Sequence, residues 1–131
     1  CRETAQPYAE AIGAEIEVDP AVGEVPTPAG LADDERGPWL RRAFAGKWSE
    51  VEGDRDYADW RREVAEAVAS HRGAAVFSHF VAINAAVSWA TADDRVAAVL
   101  PDNGSITTFA ATADGSLTLV EMGAQAATQV L

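Results

Sequence analysis

The stretch AAVFSHFVAINAAVSWATA, residues 74–92, decides how the rest of the chain is read. Ala74, Ala75, Val76, Phe77 and Ser78 have the small, apolar character of a short buried strand, preceded by the breaker Arg72-Gly73. From Phe80 onward, Phe80, Val81, Ile83, Ala86 and Val87 recur at helical spacing. A strand that runs through Ser78-His79 straight into a helix sets His79 at the helix N-terminus. Unpaired backbone N–H groups and the positive end of the helix dipole face outward there, which suits an anion such as phosphate.

The remainder of the chain sets bounds on that suggestion. At 131 residues it is long enough for one domain with a buried core, and 48% hydrophobic with 24% charged residues is ordinary for a globular protein. Ten basic against twenty-one acidic residues give a net charge of −11, which disfavours nucleic acid and anionic membrane as partners. A small anionic substrate stays compatible, because a pocket can oppose the net charge locally. The single cysteine, Cys1, excludes an intrachain disulfide and a cysteine metal cluster. No apolar run approaches a membrane span and no secretory signal core is present, so a cytoplasmic location is expected.

Taken in order, Arg2 to Gly13 reads as a helix with Ala5, Tyr8, Ala9 and Ile12 on one face and Gly13 as its stop. Ile16-Glu17-Val18 alternates like a short strand. Residues 20–37 carry Pro20, Gly23, Pro26, Pro28, Gly30 and Gly37 and are expected to be loop, with Glu24 inside it. Pro38 suits the first turn of a helix to about Ala45, and Gly46 ends it. A helix from Tyr57 to Ser70, capped by the Asp54–Asp56 segment, carries Tyr57, Trp60, Val64, Ala67 and Val68 on its apolar face. The helix that begins at Phe80 is expected to close near Asp93-Asp94. Val96 to Leu100 reads as another strand, and Ser105–Ala111 with Ser116–Met122 as a hairpin about Asp114-Gly115. The tail from Ala124 to Leu131 is weakly patterned. Helices interleaved with strands predict a three-layer α/β/α domain over residues 1–131, with a mostly parallel sheet and a C-terminal antiparallel hairpin. Ligands in such sheets sit beyond the carboxyl ends of the strands, where His79 falls.

Four stretches then carry a resemblance: Arg2-Glu3-Thr4-Ala5-Gln6-Pro7, Gly23-Glu24-Val25, Ser78-His79 after its apolar run, and Pro101 through Thr107 (PDNGSIT). In this order the chain resembles the C-terminal two-thirds of a histidine phosphatase (phosphoglycerate mutase-like) domain. The resemblance implies phosphoryl transfer through a phosphohistidine, hydrolysis rather than mutase chemistry, a small phosphorylated substrate and no cofactor. It assigns charge stabilisation on the phosphoryl group to His79 and general-acid catalysis to Glu24. An imidazolium at a helix N-terminus can donate to a phosphoryl oxygen, and a carboxyl group over the phosphate can protonate the leaving oxygen. The departures are as informative. The N-terminal strand and its Arg-His-Gly nucleophile motif are missing, since the two histidines are His71 and His79. The second family arginine is also missing. Arg2 lies two positions beyond its place, about 200° around a helix, and does not inherit the role. Phe80 stands where relatives have glycine, leaving its backbone N–H as a phosphate donor. A chain of this kind is expected to be incomplete or inactive as a phosphatase, and on its own to be poorly stable or to associate with itself. The alternative reading is a non-catalytic phosphate-binding or interaction module.

Each candidate also has a plainer role. A histidine ending a buried strand is commonly structural, and a loop glutamate such as Glu24 is commonly solvated. His71 suits an exposed helix end, where it complements the dipole. Asn103 and Ser105 can orient a ligand or merely build an Asx turn. Trp39, Trp48 and Trp60 lie in the segment that, by the resemblance, covers the substrate pocket; Trp39 and Trp48 are the pocket candidates, with core packing as the alternative. Asp54, Asp56, Asp93 and Asp94 lack the spacing of a calcium loop and imply no metal.

Overall fold

Two helices that the sequence patterns on one side each form the centre of the fold. The computed structural model describes residues 1–127. Helix α3, Tyr57–Ser70, starts where the Asp56 carboxylate accepts the Asp59 N–H at 3.0 Å, and it buries Tyr57, Trp60, Val64, Ala65 and Ala69. Helix α4, Phe80–Ala90, buries Val81, Ala82, Asn84, Ala85, Ala86, Val87 and Ser88. The many alanines let it lie close against α3. Helix α1, Arg2–Ile12, ends at Gly13 in the left-handed conformation (φ 66°), whose N–H returns to the carbonyls of Ala9 and Glu10. Of its expected apolar face Ala5 and Ala9 are buried, while Tyr8 and Ile12 stay exposed.

Helix α2, Asp33–Ala45, begins five residues before the expected Pro38. Three acids in its first turn, Asp33, Asp34 and Glu35, favour the positive end of the dipole, and the Glu35 carboxylate accepts the Ala32 N–H at 3.0 Å. This start outweighs the breaking tendency of Gly37 and Pro38, which both lie inside the helix. Helix α4 stops earlier than expected: Thr91 caps it and Ala92 turns the chain with φ 55°.

The three-layer α/β/α expectation is corrected here. The described residues hold four α-helices and a single two-stranded antiparallel sheet, with no parallel sheet. Strand β1, Thr108–Ala111, pairs with β2, Leu117–Glu121, placing Phe109 opposite Leu119 with a register shift between Thr108 and Phe109. Both strands are shorter than expected, but the turn is where Asp114-Gly115 puts it: Gly115 has φ 85°, and the Ser116 N–H donates to the Asp114 carboxylate at 3.0 Å.

The other expected strands lie outside any sheet. Residues 75–78 make no backbone–backbone hydrogen bonds among the described residues. Val76 and Val18 remain 39% and 59% exposed, against the two-sided burial that parallel strands require. Residues 96–100 are tied down by single backbone bonds at their ends, the Val96 N–H donating to the Gly46 carbonyl at 3.1 Å and the Leu100 carbonyl accepting the Ala126 N–H at 2.7 Å, and by two side-chain amides between them. The buried Asn84 Oδ1 accepts the Val99 N–H at 2.9 Å, and Gln125 Oε1 accepts the Leu100 N–H at 2.8 Å. Short apolar runs satisfy a helix surface as readily as a sheet, and only the hairpin has a partner close in sequence.

The main core gathers Val25, Trp39, Trp48, Tyr57, Trp60, Val64, Val81, Ala82, Ala85 and Val96. Trp39 meets Tyr57 and Trp48 meets Trp60 as tilted ring pairs, with centroids 5.5 and 5.8 Å apart. Three of the four polar ends have a partner: Trp48 Nε1 donates to Ser88 Oγ at 2.9 Å, Trp39 Nε1 to the Glu52 carbonyl at 2.8 Å, and Tyr57 Oη to the Pro26 carbonyl at 2.8 Å. A smaller cluster of Ala65, Ala69, Ala86 and Leu117 seats the hairpin on α3 and α4. Arg61 joins α3 to the turn after α4, donating to the carbonyls of Ser88 (2.6 Å) and Asp93 (2.9 Å) and pairing with Asp94. Burial pushes its guanidinium below the usual arginine range, with Asp94 and Asp93 opposing that shift. No helix among the described residues is long and apolar enough to cross a membrane.

Candidate functional site

His79 is the N-cap residue of α4, in extended backbone conformation, and its ring does not cap the helix. The Ile83 N–H closes the first turn on the His79 carbonyl at 3.0 Å. The N–H groups of Phe80, Val81 and Ala82 therefore have no intrahelical acceptor, as at any α-helix start. The short extended run 75–78 replaces the expected strand, yet it delivers His79 to the expected helix end.

Glu24 comes to the same place from 55 residues away in sequence. Its Oε2 lies 3.7 Å from His79 Nδ1, and its Oε1 accepts the Val25 N–H at 2.9 Å. The loop bearing Glu24 is fixed on both flanks. Ser78 Oγ donates to the Val22 carbonyl at 2.6 Å, and Tyr57 Oη holds the Pro26 carbonyl. The side chains of His79 and Glu24 are 41% and 42% exposed, so water and small solutes reach both.

The structure adds a third member that the sequence reading did not place at the site. Cys1 Sγ lies 3.5 Å from His79 Nε2, on the ring edge opposite the carboxylate. The imidazole thus stands between a thiol and a carboxylate. With a proton on Nδ1 toward Glu24, Nε2 presents a lone pair to the thiol.

The other candidates go elsewhere. The Phe80 ring packs against Phe44, with centroids 5.3 Å apart, at the edge of the core. Its backbone N–H remains at the site. Trp39 and Trp48, expected at the substrate pocket, are 5% and 2% exposed and belong to the core, as does Trp60. Trp39 does border a cavity of about 240 Å³ with Arg42, Lys47, Glu50 and Val51, but His79 and Glu24 are not in its wall. A broader, open depression beside α1, lined by Arg2, Gln6, Glu15 and Ile16, also excludes them. The His79–Glu24 pair lies at the protein surface. Asn103 lies in an exposed turn, where its N–H donates to the Asp102 carboxylate at 2.8 Å and the Ser105 N–H to the Asp102 carbonyl at 3.0 Å. Among the described residues its side chain makes no hydrogen bond to His79 or Glu24.

His71, expected to be exposed, is half-buried at the C-terminus of α3, with Nε2 2.7 Å from Asp19 Oδ2. Hydrogen bonds from His71 and then the Ala21 N–H hold the Asp19 carboxyl below its usual range. The aspartates have local structural roles. Asp54 accepts the Ala29 N–H, Asp56 caps α3, Asp93 grips Arg95, and Asp94 takes Arg61 and the Ser49 hydroxyl. Among the described residues, no three His, Cys, Asp or Glu side chains converge on one point in a way that would hold a metal ion.

Comparison of the chain with protein-family models, curated proteins and solved structures gives no match.

Proposed function

We propose that the N-terminus of α4, with His79 and Glu24, is the phosphate-handling side of a phosphoryl-transfer site for a small phosphorylated substrate. One observation carries this reading: an imidazole and a carboxylate from distant segments meet within 3.7 Å at the start of a helix with free N–H groups. The N–H groups beginning with Phe80 receive the non-bridging oxygens, aided by the helix dipole. Protonated His79 donates to the same oxygens as charge builds on them, and Glu24, when protonated, gives its proton to the leaving oxygen. With a net charge of −11, a small phosphate ester suits the chain better than a polyanion, and a cytoplasmic setting accompanies the proposal.

A phosphohistidine route needs a nucleophilic imidazole besides His79. His71, the other histidine, is engaged by Asp19, so residues 1–131 supply charge stabilisation and an acid but no free second imidazole. That observation favours a second reading, in which the junction binds a phosphate group without turning it over, as a recognition module.

Titration of the ¹⁵N-labelled chain with inorganic phosphate separates these readings from none. Binding is expected to move the amide signals of Phe80, Val81 and Ala82, and His79→Ala to weaken it about tenfold. Unmoved signals up to tens of millimolar phosphate would overturn both readings. Hydrolysis of an aryl phosphate, lost in His79→Ala, would decide for catalysis; binding without hydrolysis would decide for recognition.

A further inference from the structure

We propose that Cys1 is a nucleophilic thiol served by His79 as its base, with Glu24 positioning the imidazole, and that this trio accepts an acyl group from a small activated ester. The argument starts from the two edges of one ring. Nε2 is 3.5 Å from Cys1 Sγ and Nδ1 is 3.7 Å from the Glu24 carboxylate. Thiol, imidazole and carboxylate in that order set a base beside a nucleophile, with a negative charge near the ring nitrogen that faces away from sulfur. Because the two nitrogens face opposite ways, the trio does not chelate a single metal ion, and proton transfer is the chemistry it fits.

Access and charge agree with this use. Cys1 is exposed, and the side chains of His79 and Glu24 are each about two-fifths exposed. None of the three side chains is part of the buried core. The unpaired N–H groups that begin α4 adjoin His79 and are suited to the negative charge that grows on a carbonyl oxygen under attack.

The step balances within the site and substrate. The thiol proton passes to His79 Nε2 as sulfur attacks the carbonyl carbon, forming the C–S bond and moving the C=O pair onto oxygen. Collapse of that intermediate breaks the C–O bond to the leaving group, which takes the proton from the imidazolium. Thiol and aryl ester become thioester and phenol, and neutral imidazole is restored. This inference shares donors with the phosphate reading but does not rest on it, since acylation is read without phosphate.

The test is the release of 4-nitrophenolate from 4-nitrophenyl acetate by the full chain, with the acylated residue found by peptide mass mapping. A fast phase on Cys1 is expected at least tenfold above the rate for the same chain unfolded in urea. Cys1→Ser is expected to abolish it and His79→Ala to reduce it tenfold or more. Glu24→Gln is expected to lower it several-fold, with partial rescue in Glu24→Asp. A folded-chain rate equal to the unfolded one would overturn the proposal without reference to any variant. A fast phase that survives in His79→Ala or in Cys1→Ser would overturn it as well.

Discussion

Replacing Asn84 tests whether a helix side chain, in place of a sheet neighbour, satisfies the backbone at Val99. Asn84 is fully buried, its Oδ1 accepting the Val99 N–H at 2.9 Å and its Nδ2 donating to the Phe80 carbonyl at 3.1 Å. Asn84→Leu keeps the branched outline of the side chain but leaves the Val99 N–H without its acceptor, at a cost of about 1–3 kcal/mol. Asn84→Ala adds a cavity and should cost about 3 kcal/mol in all. For a chain of this size that lowers Tm by roughly 10–15 °C. Urea unfolding followed by circular dichroism gives the difference in stability, and amide exchange reports Val99 directly. A Leu variant within about 0.5 kcal/mol of wild type, with Val99 still protected, would refute the reasoning.

Arg61→Lys keeps the charge but not the fork that reaches the Ser88 and Asp93 carbonyls, and should cost about 1–3 kcal/mol by the same unfolding assay. Hydrogen bonds from the Arg95 guanidinium, then from the Arg95 N–H, hold the Asp93 carboxyl at about 2. A carboxyl depressed by folding stabilises the fold fully above the ordinary aspartate value near 4, and the contribution disappears as pH falls through about 2. Wild type should therefore exceed Asp93→Asn in stability at pH 7, the gap closing between about pH 4 and 2; a gap that is constant with pH would be inconsistent with that linkage. The exposed Tyr8, Ile12, Val18 and Val76 predict reversible self-association, which Val76→Glu should reduce by at least threefold in sedimentation velocity. Monomeric behaviour of the wild type across the concentration range would count against it.

Local chemistry was legible where it had a local partner. The bounds of α3 follow from Asp56 and the Trp60/Val64 face, and the hairpin turn follows from Asp114-Gly115. His79 at the start of α4 also follows from sequence, because the change from polar Ser-His to helical spacing occurs within two residues. What the sequence concealed depends on distant contacts. Apolar runs at 16–18, 74–78 and 96–100 have strand composition, but a parallel ladder needs a neighbour supplied by tertiary structure, and the described residues provide none. Gly37 reads as the end of the loop and Pro38 as the first turn of a helix, because the start at Asp33 depends on three acids acting together and on the Glu35–Ala32 bond. Trp39 and Trp48 carry the same composition in a core as in a pocket wall, and only their burial separates the two. Cys1 had no signal at all: its approach to His79 spans 78 positions. Residues 128–131 of the weakly patterned tail lie outside the described residues.

The loop that presents Glu24 is gripped by hydroxyls from outside it, Ser78 on the Val22 carbonyl and Tyr57 on the Pro26 carbonyl. Every residue type offers a carbonyl, so the side chains at 22 and 26 can drift in evolution without loosening those two attachments. The instructions for placing Glu24 are written at positions 57 and 78. Constraint on the placing of Glu24 is therefore expected at a tyrosine and a serine outside the loop, more than within the loop itself.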